Sequence, residues 1–169
     1  MAPLCRETKR LSRRVVLARK IGKRPHNDGS SRENHSTMSL LEKINGRTMP
    51  FSALMGVTFT EAEPERVVAT MVVREDLCTL GHSIHGGAVM AFADAVGAMA
   101  TVINLPEEAQ GTTTIESKTN FVGRAKAGMT VRAIATPVHL GRRTQVWQTR
   151  IETDDGKLVG VVTQTQLVL

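Results

Sequence analysis

Apolar positions after the first third of this 169-residue chain follow two different periods. Between Gly86 and Asn104 the segment GGAVMAFADAVGAMATVIN is largely apolar, with Val89, Phe92, Val96, Met99, Ala100 and Ile103 recurring at helical spacing. The pattern predicts a buried helix, entered through Gly86-Gly87 and stopped ahead of Pro106. On both sides the period falls to two. Val57 to Glu63 and Arg66 to Arg74 are β-rich runs joined near Pro64, and Thr112 to Val122, Met129 to Leu140, Thr144 to Thr153 and Leu158 to Val168 follow the helix. Between Thr144 and Thr153, Gln145, Trp147, Thr149 and Ile151 alternate with Val146, Gln148, Arg150 and Glu152, so one face can be buried while the other stays wet. Asp155-Gly156 marks a hairpin turn between the last two strands, and a second turn is expected at Gly141. A short first helix, about Ser39 to Leu54 with a break at Pro50, precedes the strands. This order predicts the α+β class, an antiparallel sheet wrapped around one long buried helix.

Charge changes the picture only when it is divided by position. The formal net charge of +6 suggests a nucleic-acid or membrane partner, but residues 1–37 hold ten Lys or Arg against Glu7, Asp28 and Glu33. Residues 38–169 hold twelve basic and thirteen acidic side chains, so the basicity belongs to a leader and the domain over 38–169 is nearly neutral. The leader reads as disordered or weakly helical. It lacks the apolar run of a secretory signal, while its Arg-rich, acid-poor start resembles an organelle transit peptide. A solvated tail, or translated sequence ahead of a start at Met38, competes with that reading, and the domain itself is expected to be cytoplasmic. The leader has no Phe, Trp or Tyr for base stacking, which argues against nucleic acid as partner. Two cysteines, Cys5 and Cys78, cannot build a disulfide framework and point to a reducing compartment. Cys78, His82 and His85 lack a fourth ligand nearby, so no metal is expected. The segment from Gly86 to Asn104 is almost long enough to span a membrane, but its Ala and Gly content and its central Asp94 argue against insertion.

Asp94 is the one charge in that apolar helix. Burying a lone carboxylate costs several kcal/mol unless it is paired or protonated, roughly as for any unpaired ion. On the residues alone it is either a functional acid or a buried one satisfied by a cap or by a partner-chain hydroxyl. The segment before it, Gly81-His82-Ser83-Ile84-His85-Gly86-Gly87, is rich in reaction partners. Its first five residues nearly spell a serine-hydrolase nucleophile elbow, but the fifth is His rather than Gly and no parallel sheet surrounds it. No phosphate-binding or dinucleotide glycine loop occurs.

His85-Gly86-Gly87-Ala88 with Asp94 nine positions after the histidine, Thr114-Ile115-Glu116 to Asn120-Phe121, Ala127-Gly128 and Gly141-Arg142-Arg143-Thr144 together resemble the hotdog-fold acyl-CoA thioesterases. Within that family they look most like the phenylacetate-pathway, PaaI-like group, over about Met49 to Leu169. The resemblance implies a hotdog fold and hydrolysis of medium-chain or aryl acyl-CoA to free acid and CoA. No cofactor is implied beyond coenzyme A as part of the substrate. It gives Asp94 the part of nucleophile or general base and Gly86 the backbone N–H that polarises the carbonyl, helped by the helix dipole. His85 matches the family histidine at the helix entrance, Gly87 is a supporting residue beside it, and Thr114 keeps a hydroxyl that some relatives place near the acid. Arg142, Arg143 and Gly141 match the segment that meets the nucleotide, with Arg124 and Lys126 as further candidates. In relatives the acid and the glycine N–H belong to opposite subunits. A homodimer, with a dimer of dimers beyond it, is therefore expected, Asp94 facing His85 and Gly86 of the partner subunit. The chain departs from the pattern at Thr79, where relatives carry Asn or Gln, and at Val122-Gly123-Arg124-Ala125, where a proline is usual. Thr79 keeps open a second function, non-catalytic binding of acyl-CoA. Phe51, Leu54, Met90, Phe92 and Met99 are the expected walls of the acyl pocket, their flexible Met side chains tolerating varied acyl groups.

Overall fold

The computed structural model describes residues 38–47 and 49–169, so the leader predicted over residues 1–37 lies outside the described residues. Two short helices come first, α1 (Leu40–Asn45) and α2 (Pro50–Met55), in place of one helix broken at Pro50. Ser39 starts α1 by accepting the Glu42 N–H at 3.2 Å, while the Glu42 carboxylate takes the Ser39 N–H at 2.7 Å. That backbone N–H, and after it the Ser39 hydroxyl, hold Glu42 below its ordinary carboxylate value. Pro50 takes the first position of α2, where a missing N–H loses no bond, and Gly56 ends the helix at φ 80.

Six antiparallel strands follow: β1 (Thr58–Glu63), β2 (Arg66–Val72), β3 (Thr112–Phe121), β4 (Thr130–Leu140), β5 (Thr144–Thr153) and β6 (Leu158–Val168). A 3-10 turn (Glu75–Leu77) and the long helix α3 (Gly86–Val102) separate β2 from β3. The sheet order is β1-β2-β4-β5-β6-β3, so the chain leaves β2, runs along α3 across one face and re-enters at the opposite edge. This is the hotdog arrangement. β5 and β6 have the predicted limits, the other strands end within two residues of them, and α3 stops at Val102 with Ile103 as its cap.

Small side chains let α3 lie close to the sheet. Ala93, Ala95, Gly97 and Ala100 are buried along it, and Val89, Phe92, Val96 and Met99 join Trp147, Ile151 and Val162 in the core. Each large apolar side chain removed from water contributes about 1.5–3 kcal/mol. β5 alternates as its sequence predicts, with Gln145, Trp147, Thr149 and Ile151 buried and Gln148 and Arg150 exposed. The buried Trp147 Nε1–H donates to Thr101 Oγ1 at 2.9 Å, so the indole leaves no donor unpaired. β3 forms a free edge of the sheet. A bulge between Thr114 and Glu116 shifts its register, which sets Thr114 opposite Gln166 and Ser117 opposite Gln164, on the face toward α3.

Candidate active site

Backbone hydrogen bonds aim the start of α3. Ile84 N–H donates to Ala125 O at 2.8 Å, His85 N–H to Leu77 O at 2.8 Å and Ala127 N–H to His82 O at 3.0 Å, which ties the flanking loops to the helix entrance. His82, at the tip of that entrance, holds φ 52, a left-handed conformation uncommon for a non-glycine residue, and its ring meets Glu75 at 3.0 Å. His85 caps α3 in an extended conformation, φ −71 and ψ 140, with Nδ1 accepting the Gly87 N–H at 2.9 Å. An accepting Nδ1 carries no proton, which leaves Nε2 as the ring's N–H donor. Ala88 and Val89 both donate to His85 O. The Gly86 N–H is therefore the one donor of this first turn without an acceptor among the described residues. It sits at the positive end of the helix, where negative charge developing on an oxygen is stabilised. A Cβ at Gly86 would come 3.2 Å from the Phe121 ring, so glycine keeps this donor approachable.

Asp94 is half-buried, and a hydroxyl meets its charge. Thr114 Oγ1 donates to Oδ1 at 2.8 Å, Gln166 Nε2 donates to Thr114 Oγ1 at 2.7 Å, and the Thr112 hydroxyl shares its hydrogen between Leu167 O at 3.0 Å and Gln166 Oε1 at 3.1 Å. Gln164 Nε2 lies 3.4 Å from the same Oδ1 and 3.4 Å from the Asp94 carbonyl oxygen. Oδ2 takes no hydrogen bond, and no cation pairs with the carboxylate, among the described residues. A Cβ at Gly97 would fall within 2.7 Å of the Gln164 amide atoms, so glycine makes the room that amide occupies. Asp94 follows Gly86 by eight positions, about 12 Å at the helical rise, whereas reacting atoms must approach to about 3–3.5 Å. One chain does not bring its own Gly86 and Asp94 together.

The remaining predicted residues fall into three places. Thr79 and Arg124 share with Gly86 a cavity of about 380 Å³, beneath Phe121. Thr79 Oγ1 accepts the Gly81 N–H at 3.3 Å and keeps its own hydrogen to donate. His85 and Gly87 border a groove of about 400 Å³ walled by Phe51, Leu54, Met55, Leu77 and Cys78. Two expected acyl-pocket walls are corrected here: Phe92 and Met99 are spent in the core, because α3 turns both toward the apolar face of the sheet. Met90 does not line the groove either; Leu77 and Cys78 of the 3-10 turn segment close it instead. Burial, and after it the charges of Glu75 and Asp76, push the Cys78 thiol up. Gly141, Arg142 and Arg143 turn the β4–β5 hairpin beside Val168, at the far end of α3, against a third cavity of about 510 Å³. Arg142 pairs with Glu108, whose own backbone N–H, and then Arg142, hold its carboxyl low. Among the described residues no cluster of His, Cys, Asp and Glu could hold a metal, and no helix is long and apolar enough to cross a membrane. Sequence reasoning missed Gln164 and Gln166. Their signal was their phase: both alternate with Val162 on one face of β6, where a buried polar side chain must have a partner.

Known proteins share this chain's sequence and architecture. The model of the thioesterase superfamily matches residues 81–160. A Mycobacterium tuberculosis protein provisionally named an esterase is 33% identical over 114 residues, which is 66% of this chain and 81% of the relative. This chain belongs to the thioesterase superfamily. The 1,4-dihydroxy-2-naphthoyl-CoA hydrolase of Escherichia coli is 32% identical over 104 residues, covering 62% of this chain and 75% of that enzyme. A variant of a Pseudomonas aeruginosa thioesterase superposes with a TM-score of 0.71 at 29% identity, over 76% of this chain and 93% of the other. The chain is thus a thioesterase-family hydrolase with the hotdog fold.

Proposed function

We propose that this chain hydrolyses the thioester of acyl-CoA, with medium-chain or aryl acyl groups, in sites that two copies build together. One observation carries the reading: a Gly86 N–H without an acceptor among the described residues and a hydroxyl-held Asp94 sit about 12 Å apart on one helix, so each is half of a site. The free edge of β3 supplies the means of joining halves. Ile115, Phe121 and Val122, on or beside that edge, are 56%, 56% and 62% exposed. Antiparallel pairing of two β3 edges about a twofold axis sets the Thr112 end of one copy beside the Phe121 end of the other. Asp94, Thr114 and Arg143 lie toward the first end, and Gly86, Thr79 and Arg124 toward the second.

In such a site the thioester oxygen accepts the Gly86 N–H of the partner subunit. Asp94 either attacks the carbonyl carbon, expelling CoA thiolate and leaving an anhydride that water opens, or takes a proton from the attacking water. Both routes yield acid and CoA. The apolar groove beside His85 suits the acyl group, and Arg142, Arg143 and Arg124 suit the phosphates of CoA. The aryl-CoA substrate in the name of the Escherichia coli relative supports the aryl half of this assignment.

Hexanoyl-CoA, decanoyl-CoA and benzoyl-CoA, with released thiol followed by a chromogenic disulfide, test the reading on wild type, Asp94→Asn and Asp94→Ala. Wild-type turnover at least about a hundredfold above both variants is expected. One slow rate shared by all three defeats the enzyme reading, and CoA binding that persists in that case favours the non-catalytic binder that Thr79 kept open. Exchange of subunits between Asp94→Asn and Gly86→Pro dimers tests the shared site. Half the dimers become mixed, each with one intact site, so about a quarter of wild-type activity returns. No recovery in confirmed mixed dimers excludes the shared site.

A further inference from the structure

We propose that Gln166 is a positioning residue for Asp94, acting through Thr114, and that it determines which carboxylate oxygen is held and which is presented to substrate. The proposal rests on Asp94 being the reacting acid. A threonine hydroxyl has one hydrogen to give. Gln166 Nε2, a donor only, reaches Thr114 Oγ1 at 2.7 Å and occupies its acceptor side, so the hydrogen goes to Asp94 Oδ1 at 2.8 Å. With Asp94 ionised, the reverse amide orientation would set two acceptors against a single hydrogen at Thr114. The amide oxygen lies 3.1 Å from Thr112 Oγ1, whose single hydrogen is shared with Leu167 O at 3.0 Å, so the charge on Asp94 rather than Thr112 sets the productive sense. Gln166 is fully buried, and β6 is clamped between β3 and β5, so the amide has no water to turn toward. Gln164 approaches the same Oδ1. Both glutamines thus converge on one oxygen, and Oδ2 is left to face the thioester carbon or the water.

A double-mutant cycle on hexanoyl-CoA hydrolysis tests this, with Gln166→Met, Thr114→Val and the pair together, beside Asp94→Asn. Gln166→Met is expected to lower kcat about tenfold with KM within about twofold, because the freed hydroxyl no longer commits its hydrogen. Once Thr114→Val has removed that hydroxyl, Gln166→Met should cost nothing more in kcat. Gln166→Glu keeps the shape and, once ionised, reverses the donor: it takes the Thr114 hydrogen for itself and adds a negative charge, so kcat falls as pH rises through the value of the new carboxyl, which burial and Asp94 push up. This second variant carries the test if Gln166→Met folds poorly. Equal losses from Gln166→Met with and without Thr114, a loss confined to KM, or a pH profile of kcat in Gln166→Glu unchanged from wild type, with Asp94→Asn inactive, overturns the relay alone. An Asp94→Asn chain as active as wild type overturns the site reading, and the relay with it.

Discussion

Gly86→Pro removes one hydrogen-bond donor from the helix entrance and little else. The Gly86 N–H has no acceptor among the described residues, so its loss breaks no bond within the chain. Proline is well suited to the first position of a helix. It requires an extended residue before it, and His85 already stands at φ −71 and ψ 140. The added ring carbon comes 3.2 Å from the Phe121 ring, which needs to give by only a few tenths of an ångström. Stability should therefore stay within about 1 kcal/mol of wild type. If the N–H polarises the thioester carbonyl, kcat should fall about 100- to 1,000-fold, as when an oxyanion-hole donor is deleted. Gly86→Ala is the matched control, since it places the same carbon near Phe121 and keeps the N–H. Steady-state hydrolysis of hexanoyl-CoA by both variants, beside urea unfolding, gives the comparison. A proline variant folded as well as the alanine variant and within about threefold of its kcat would refute the assignment of Gly86 as the polarising donor.

Three further outcomes follow from the same geometry. Gly97→Ala should destabilise the fold by about 1–2 kcal/mol in urea unfolding, overpacking against Gln164 outweighing the gain in helix propensity, and should become neutral or stabilising in a Gln164→Ala background; a stabilising effect with Gln164 present contradicts the packing. Glu108 is held low, so its pairing with Arg142 is complete at neutral pH and is lost as pH falls through its folded value. Glu108→Gln should then free Arg142 and lower KM for CoA thioesters about twofold at low salt, an advantage that disappears near 0.5 M salt, roughly; no change at low salt removes Arg142 from the CoA contacts. Because burial and then Glu75 and Asp76 raise the Cys78 thiol, little thiolate is present at neutral pH. Iodoacetamide should modify Cys78 more slowly than a free thiol, and faster in Asp76→Asn, when peptide mass mapping separates it from Cys5; equal rates in both proteins would count against the charge effect.

Local pattern was enough for most of the architecture. Period two placed the strands nearly to the residue, because alternation reports which side of a strand faces the core. The helical spacing from Val89 to Ile103, with Gly86-Gly87 at one end and Pro106 beyond the other, placed α3, and it made Asp94 conspicuous as one charge among apolar neighbours. Those are properties of a few consecutive residues, so the chain by itself determined them. What lies behind Asp94 was decided by the tertiary structure. Thr114, Gln164 and Gln166 reach it from twenty to seventy-two positions away, through strand register, and a one-residue bulge after Thr114 chooses which side of β3 faces the helix. No periodicity encodes that register. The same holds for Phe92 and Met99, apolar enough for a pocket wall until packing turned them to the core, and for the cap that consumes the Gly87 N–H and not that of Gly86. Residue types report their own solubility and backbone preference, whereas the neighbour that each one meets is settled only when distant strands pair.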